Sequence, residues 1–263
     1  MQTPAVRIAE GCLFAFVIAL ITTPAGVSGA VLLLPVQVSL LDVPSPAVTP
    51  TNLLYSVVAT PGGLLRYWQA GSLRERLARI LVLGTLPGVV VGAIVRVEWL
   101  SGPRAFLVVV AAVLLPLGSW LATAGSRPRS RRAAVRPSAR GVIPLALAVG
   151  VVGGIYGIGG GSILAPILLA LGFSVVEVAG AALAATFVTS LAGVVTYQLI
   201  QLRHGGTIAP DWVLGLAMGA SGLAGSYLGA HVQPRVPDRL IRRVLGVLVV
   251  AIAVRYLVEG LAG

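Results

Sequence analysis

The sequence predicts an all-helical, polytopic membrane protein, and three observations carry that prediction. Of its 263 residues, 57% are hydrophobic and 10% charged, with a mean hydropathy of +0.98; soluble domains carry about a quarter charged residues. The apolar residues gather in eight long runs separated by turn residues or charges, the length class that crosses a hydrocarbon core about 30 Å thick. All 19 basic residues are arginines, and they sit between the runs or at their ends. That placement marks loops beside a membrane rather than a nucleic-acid stripe. The expected partner so far is a lipid bilayer, with a homo-oligomer allowed and no nucleic acid.

The runs fall at approximately 10–41, 49–66, 77–97 and 104–124, then at 141–172, 175–202, 210–231 and 239–260. The expected organisation is a first transmembrane repeat over 1–124, a basic Arg-rich linker over 125–140, and a second transmembrane repeat over 141–263. Each repeat then has four segments, eight in all, with broken Gly-rich first segments. Run 10–41 opens with Arg7, an apolar stretch and small residues, a pattern shared with secretory signal peptides. Its counterpart in the second half argues for a membrane segment instead. The single cysteine, Cys12, excludes an internal disulfide and reads as a small buried hydrophobe.

Run 49–66 is the most polar, with Thr49, Thr51, Asn52, Tyr55, Ser56 and Thr60. Thr51, Asn52, Tyr55 and Ser56 share one helix face. Asn52 is the least comfortable, because an unpartnered amide in hydrocarbon costs several kcal/mol. Run 77–97 carries Gly84, Gly88 and Gly92 four residues apart, a stripe suited to close helix packing. The linker holds Arg127, Arg129, Arg131, Arg132, Arg136 and Arg140.

Run 141–172 contains no charge, and as a straight helix it would be about 48 Å long. Six glycines and Pro166 in its middle disfavour that helix, so the segment is expected to break, or to dip in and turn, around an unwound centre. Such backbone is tolerated at membrane depth where it is buried in protein or lines a cavity. Run 175–202 carries Glu177 near its start, placed to cap a helix, and offers Thr186, Thr189, Ser190, Thr196, Tyr197 and Gln198. Run 210–231 repeats the four-spaced stripe as Ser221, Gly225 and Gly229.

The halves match one another. Pro24 to Pro35 lies over Ile155 to Pro166, Thr60 to Tyr67 lies over Ser190 to Tyr197, and the two four-spaced stripes correspond. Internal duplication of this kind is a frequent plan of secondary transporters. With eight crossings, the positive-inside rule expects both termini in the cytoplasm, the cluster Arg235 to Arg243 being the exception.

Gly157, Gly159, Gly160 and Gly161 resemble a phosphate loop on paper but lack the Gly-Lys-Ser/Thr ending and a preceding strand. They suit the start of a half-helix, whose free N–H groups and positive dipole end attract an anion. Packing through small residues is the competing reading. Gly26, Ser28 and Gly29 form a weaker copy, and the expected substrate-binding set adds Asn52, Ser56, Thr189 and Ser190. For the hydroxyls, plain interhelical hydrogen bonding competes with a site role. Arg66, beside Tyr67 and Trp68, is placed as an interfacial anchor or at the mouth of an anion path. His204 and His231 have no ligand-spaced partners, so no metal is expected. There is no nucleophile–base arrangement and no Walker motif; neither an enzyme nor a cofactor is expected.

On these residues the chain resembles the sulfite exporter TauE/SafE family of membrane permeases. The resemblance rests on the Gly-rich stretch with its downstream proline in both halves, on Thr51-Asn52-Leu53, on Thr189, Ser190, Gly193 and Tyr197, and on the basic linker. Ala181-Ala182-Leu183 departs from the Thr-Ser-Leu that the family often shows. The resemblance implies a secondary transporter in the cell (inner) membrane, an exporter of sulfite, sulfonates or related organic anions, with a site at the repeat interface. A non-transporting membrane scaffold is the alternative.

Overall fold

The computed structural model describes residues 3–100, 102–124, 139–171, 173–204 and 208–262. Arg127, Arg129, Arg131, Arg132 and Arg136 of the linker lie outside them. Among the described residues all regular structure is helical. The first half holds α1 (Pro4–Thr22), α2 (Ala30–Ser39), α3 (Val48–Gln69), α4 (Glu75–Glu98) and α5 (Pro103–Ala124). The second holds α6 (Ala139–Tyr156), α7 (Gly160–Ala170), α8 (Val175–His204), α9 (Trp212–Val232) and α10 (Asp238–Ala262).

Four of these are long and apolar enough to cross a membrane: α1 with its terminal turn, α4, α8 and α9. α3 is as long, at 22 residues, but more polar. It can be, because the protein wraps it: Thr49, Thr51, Asn52, Ser56 and Thr60 are all buried, so their hydroxyls and amide meet partners instead of lipid. Glu177 closes a capping box at the start of α8, accepting from both the Ser174 N–H and its hydroxyl while its own N–H donates back to Ser174 Oγ.

The glycine stripes position the helices. An added carbon at Gly88 would lie 2.3 Å from the Leu147 carbonyl oxygen and one at Gly92 2.1 Å from that of Val151. Gly150 and Gly154 of α6 approach Thr85 and Val89 of α4 just as closely. α4 and α6 therefore run parallel in backbone contact. Gly225 and Gly229 set α9 against Phe16 and Leu20 of α1 in the same parallel sense. Gly92→Val is expected to destabilise the detergent-solubilised protein by roughly 1–3 kcal/mol, as overpacking does. Its thermal unfolding midpoint should fall, while Gly102→Ala, whose added carbon meets nothing within 4 Å, should leave it in place.

Both Gly-rich segments fold back as hairpins, the dip-and-turn form of the break. Arg7, near the start of α1, donates from Nε to the Leu41 carbonyl at 2.7 Å, so the chain after α2 returns to the face where α1 began. Arg7 also pairs with Asp211 at 3.3 Å, which places the start of α9 on that same face. α7 likewise turns back from α6, starting beside Thr85 in the middle of α4. α3 runs antiparallel to α8, with Gly193 against Leu53 and Gly180 against Tyr67. α5 runs antiparallel to α10 through Gly118 against Val249 and Gly246 against Ala122. Following these contacts, the first and last described residues lie at one face, the termini face. The end of α5 and the start of α6 lie at the other.

Candidate functional site

The two breaks need glycine. Gly26 has φ +74°, Gly157 +80° and Gly159 +69°, a region that side-chain-bearing residues enter at a cost. Each break is also clamped by a long helix of the other half. A carbon added at Gly26 would come within 2.4 Å of the Ala179 Cα on α8, and one at Gly157 within 2.5 Å of the Thr49 carbonyl oxygen on α3.

The breaks meet in a buried ladder of hydroxyls. Ser56 Oγ and Ser28 Oγ are 3.0 Å apart, the Ser28 N–H donates to Ser162 Oγ at 3.1 Å, and Ser162 Oγ lies 3.1 Å from Thr186 Oγ1. One rung along, the Gly160 N–H donates to Thr189 Oγ1 at 3.1 Å. α2 and α7 both begin here and run to opposite faces, so two positive helix ends point at one cluster. All of Gly26, Ser28, Gly29, Ser56, Gly157, Gly159, Gly160, Gly161, Thr189 and Ser190 are buried around this meeting point.

Two hydroxyls are aimed at the helix starts and have no partner among the described residues. Ser190 Oγ lies 2.8 Å from where a Gly159 carbon would stand, and Tyr55 Oη 2.3 Å from the corresponding place at Gly29; both oxygens are buried and unbonded. Sequence inspection placed Tyr55 on a polar face without assigning it to the site. An unsatisfied buried hydroxyl costs about 1–3 kcal/mol, and such groups are uncommon without a reason.

Asn52 is buried with both ends of its amide engaged. Its Nδ2 donates to the Ala30 carbonyl at 2.9 Å, and its Oδ1 accepts from Gln37 Nε2 at 3.0 Å. It holds the first turn of α2 in place. Gln37 was passed over, although a lone amide inside the apolar stretch 31–41 was the available signal; its Oε1 is buried without a partner. Thr51 donates to Ala47 O and accepts from the Asp211 N–H, away from the ladder. Arg66 donates to His231 Nδ1 at 3.2 Å on the exposed surface. Ala182, where a polar residue was expected, has its carbonyl only 2.0 Å from a Gly161 carbon position. Arg96, which reads as a loop residue in sequence, is wholly buried. Among the described residues, no three His, Cys, Asp or Glu gather as a metal would require.

This geometry gathers neutral donors and two helix starts around one buried cluster. The family model of the sulfite exporter TauE/SafE matches residues 11–256. The probable membrane transporter protein YunE of Bacillus subtilis (strain 168) is 24% identical over 227 residues, 80% of this chain and 80% of that protein. No solved structure matches. With both glycine breaks and the hydroxyl ladder inside the matched span, the chain belongs to the sulfite exporter TauE/SafE family, a family of membrane transporters.

Proposed function

We propose that the protein is a secondary transporter of small anions, an exporter of sulfite, sulfonates or related organic anions, with its substrate site where the two breaks meet. One observation carries this reading: two half-helix starts converge on a buried cluster where Ser190 and Tyr55 present unpartnered hydroxyls. Neutral donors hold an anion weakly enough to release it. Export fits the membrane potential, since an anion leaving a negative interior gains about 2.3 kcal/mol per charge per 100 mV.

The packing supports two inverted repeats of four segments each, each hairpin counting as one segment. The contact of α6 with α4 has its counterpart in that of α1 with α9, and rocking one repeat on the other gives alternating access. Because the hairpins return to their own face, the termini and the linker fall on opposite sides. Arg66, Arg74, Arg76, Arg79, Arg235, Arg239, Arg242 and Arg243 then belong to connections at the linker face, and in sequence the six linker arginines fall between the α5 end and the α6 start that lie there, together 14 of the 19. The positive-inside rule places that face in the cytoplasm and both termini outside, the reverse of what eight single crossings imply. The cluster Arg235 to Arg243 ceases to be an exception. In a Cys12→Ser background, Arg74→Cys is expected to react with an impermeant thiol reagent only from the cytoplasmic side.

The test of transport is uptake of labelled sulfite into proteoliposomes under an imposed potential, with sulfate, acetate and methanesulfonate as competitors. Saturable, potential-dependent uptake is expected, reduced in Asn52→Ala, which loosens α2. No uptake of any of these anions at either sign of potential would favour the scaffold reading. That alternative draws its support from Asn52, Thr51 and Ser56, whose polar atoms are engaged by the protein itself.

A further inference from the structure

Arg96 is the one charged side chain among the described residues that is completely buried, and the ladder does not use it. A buried ionisable group in a membrane protein is expensive, and substrate and ion pathways are among the places where such groups are kept. Arg96 stands in the last turn of α4, toward the termini face. Its Nε donates to Thr49 Oγ1 at 3.3 Å, its Nη2 to Ser45 Oγ at 2.6 Å, and its Nη1 to the Leu100 carbonyl. Thr49 in turn donates to the Ile155 carbonyl at 3.4 Å, and its own carbonyl is the atom against which Gly157 is packed. The guanidinium therefore rests one residue from the α6–α7 break.

A polar stripe joins it to the ladder. Thr186, Thr189, Ser190, Gly193 and Tyr197 follow one another at helical spacing along a single face of α8, and all are buried. Tyr197 closes the stripe and donates to the Gly154 carbonyl at 3.0 Å, on the α6 side of the break that Thr49 also reaches through the Ile155 carbonyl. The other half has no such ending. Arg96 follows Gly92 by four residues as Gln233 follows Gly229, and Gln233 is buried but neutral. On that side Tyr67 donates to the Thr23 carbonyl, and Thr23 meets Ser226.

We propose that Arg96 is a second anion-binding residue of the path, on which an anion leaving the central hydroxyls toward the termini face docks before release. This rests on the anion-transport reading and names the group that receives the substrate. The oxyanion displaces the hydroxyls of Thr49 and Ser45 from the guanidinium, exchanging neutral acceptors for charge-assisted, two-pronged bonds. The same hydroxyls return as it departs, and this competition keeps the cation from retaining the anion. A clasp for the 41–47 loop would need donors but no charge.

The test compares wild type, Arg96→Gln, Arg96→Lys and Ser45→Ala in proteoliposomes, using labelled sulfite and labelled methanesulfonate, with thermal unfolding of each protein in detergent. Arg96→Gln is expected to raise the half-saturating concentration about tenfold or more, as loss of a hydrogen bond to a charged group does, with a smaller change in maximal rate. Arg96→Lys should retain most of the wild-type affinity. Ser45→Ala, which removes a neutral competitor and keeps the charge, should lower the half-saturating concentration. An Arg96→Gln protein with wild-type half-saturation overturns the proposal. So do Gln and Lys variants that are equally impaired with equally lowered unfolding midpoints, which is the clasp result. Wild type that moves neither probe overturns the transport reading and this proposal with it, whereas wild-type transport with an unaffected Arg96→Gln overturns the role of Arg96 alone.

Discussion

Ser190→Ala is expected to cut anion transport by about tenfold or more while leaving the unfolding midpoint unchanged or raised. Removing a hydroxyl normally weakens a fold because its partner is stranded, but Ser190 Oγ has no partner among the described residues. Its deletion relieves a buried polar atom of its desolvation cost, about 1–3 kcal/mol. The same atom points at Gly159, immediately before the first turn of α7, where an anion attracted to that helix start would sit. A hydrogen bond to a charged ligand contributes about 1.5–3 kcal/mol, which is the tenfold loss or more. Tyr55→Phe repeats the test at the other helix start, where Tyr55 Oη points at Gly29. Sulfite uptake in proteoliposomes and thermal unfolding in detergent read the two quantities separately. Unchanged uptake in both variants would show that these hydroxyls are not ligands.

Gly157→Ala is expected to be the most damaging of the small substitutions to the fold. Alanine at φ +80° carries the left-handed backbone strain of about 1–2 kcal/mol, and its methyl group would stand 2.5 Å from the Thr49 carbonyl oxygen, adding overpacking of about 1–3 kcal/mol. A sharp fall in unfolding midpoint and in yield of monodisperse protein should follow. Gly71→Ala is the matched control: its φ of +66° is similar, but nothing lies within 4 Å of the added carbon. The difference between the two variants measures the clamp of α3 on the break, free of backbone strain. Equal effects would mean that the clamp contributes nothing.

The glycine breaks were legible in the sequence because glycine at such density inside an apolar run has few structural uses, and the ladder was legible because hydroxyls cluster at the same places. The four-spaced stripes were legible too, since only close backbone approach calls for that spacing. What escaped were features decided by distant partners. Asn52 was visible as an uncomfortable amide, but its partners on Ala30 and Gln37 come from another helix, and periodicity cannot report that pairing. Whether run 141–172 crosses or doubles back depends on α7 finding Thr85 of α4, a contact with no local signature. That choice then changes which loops share a side, so the charge count inherits it. Arg96 lay at the end of a hydrophobic run and read as a loop residue. Its burial depends on Ser45 and Thr49 being brought against it.

α2 and α7 present like poles to one another. Each helix start carries the equivalent of about half a positive charge, and between them stand the neutral hydroxyls of Ser28, Ser56, Ser162 and Thr186. On the proposed function, an arriving anion screens that repulsion and a departing one restores it, which makes the empty carrier the least stable member of the cycle. A machine of this kind resets reluctantly without cargo. Exchange of one anion for another should therefore outrun net flux, and unlabelled sulfite on the far side of the membrane should accelerate the exit of labelled sulfite.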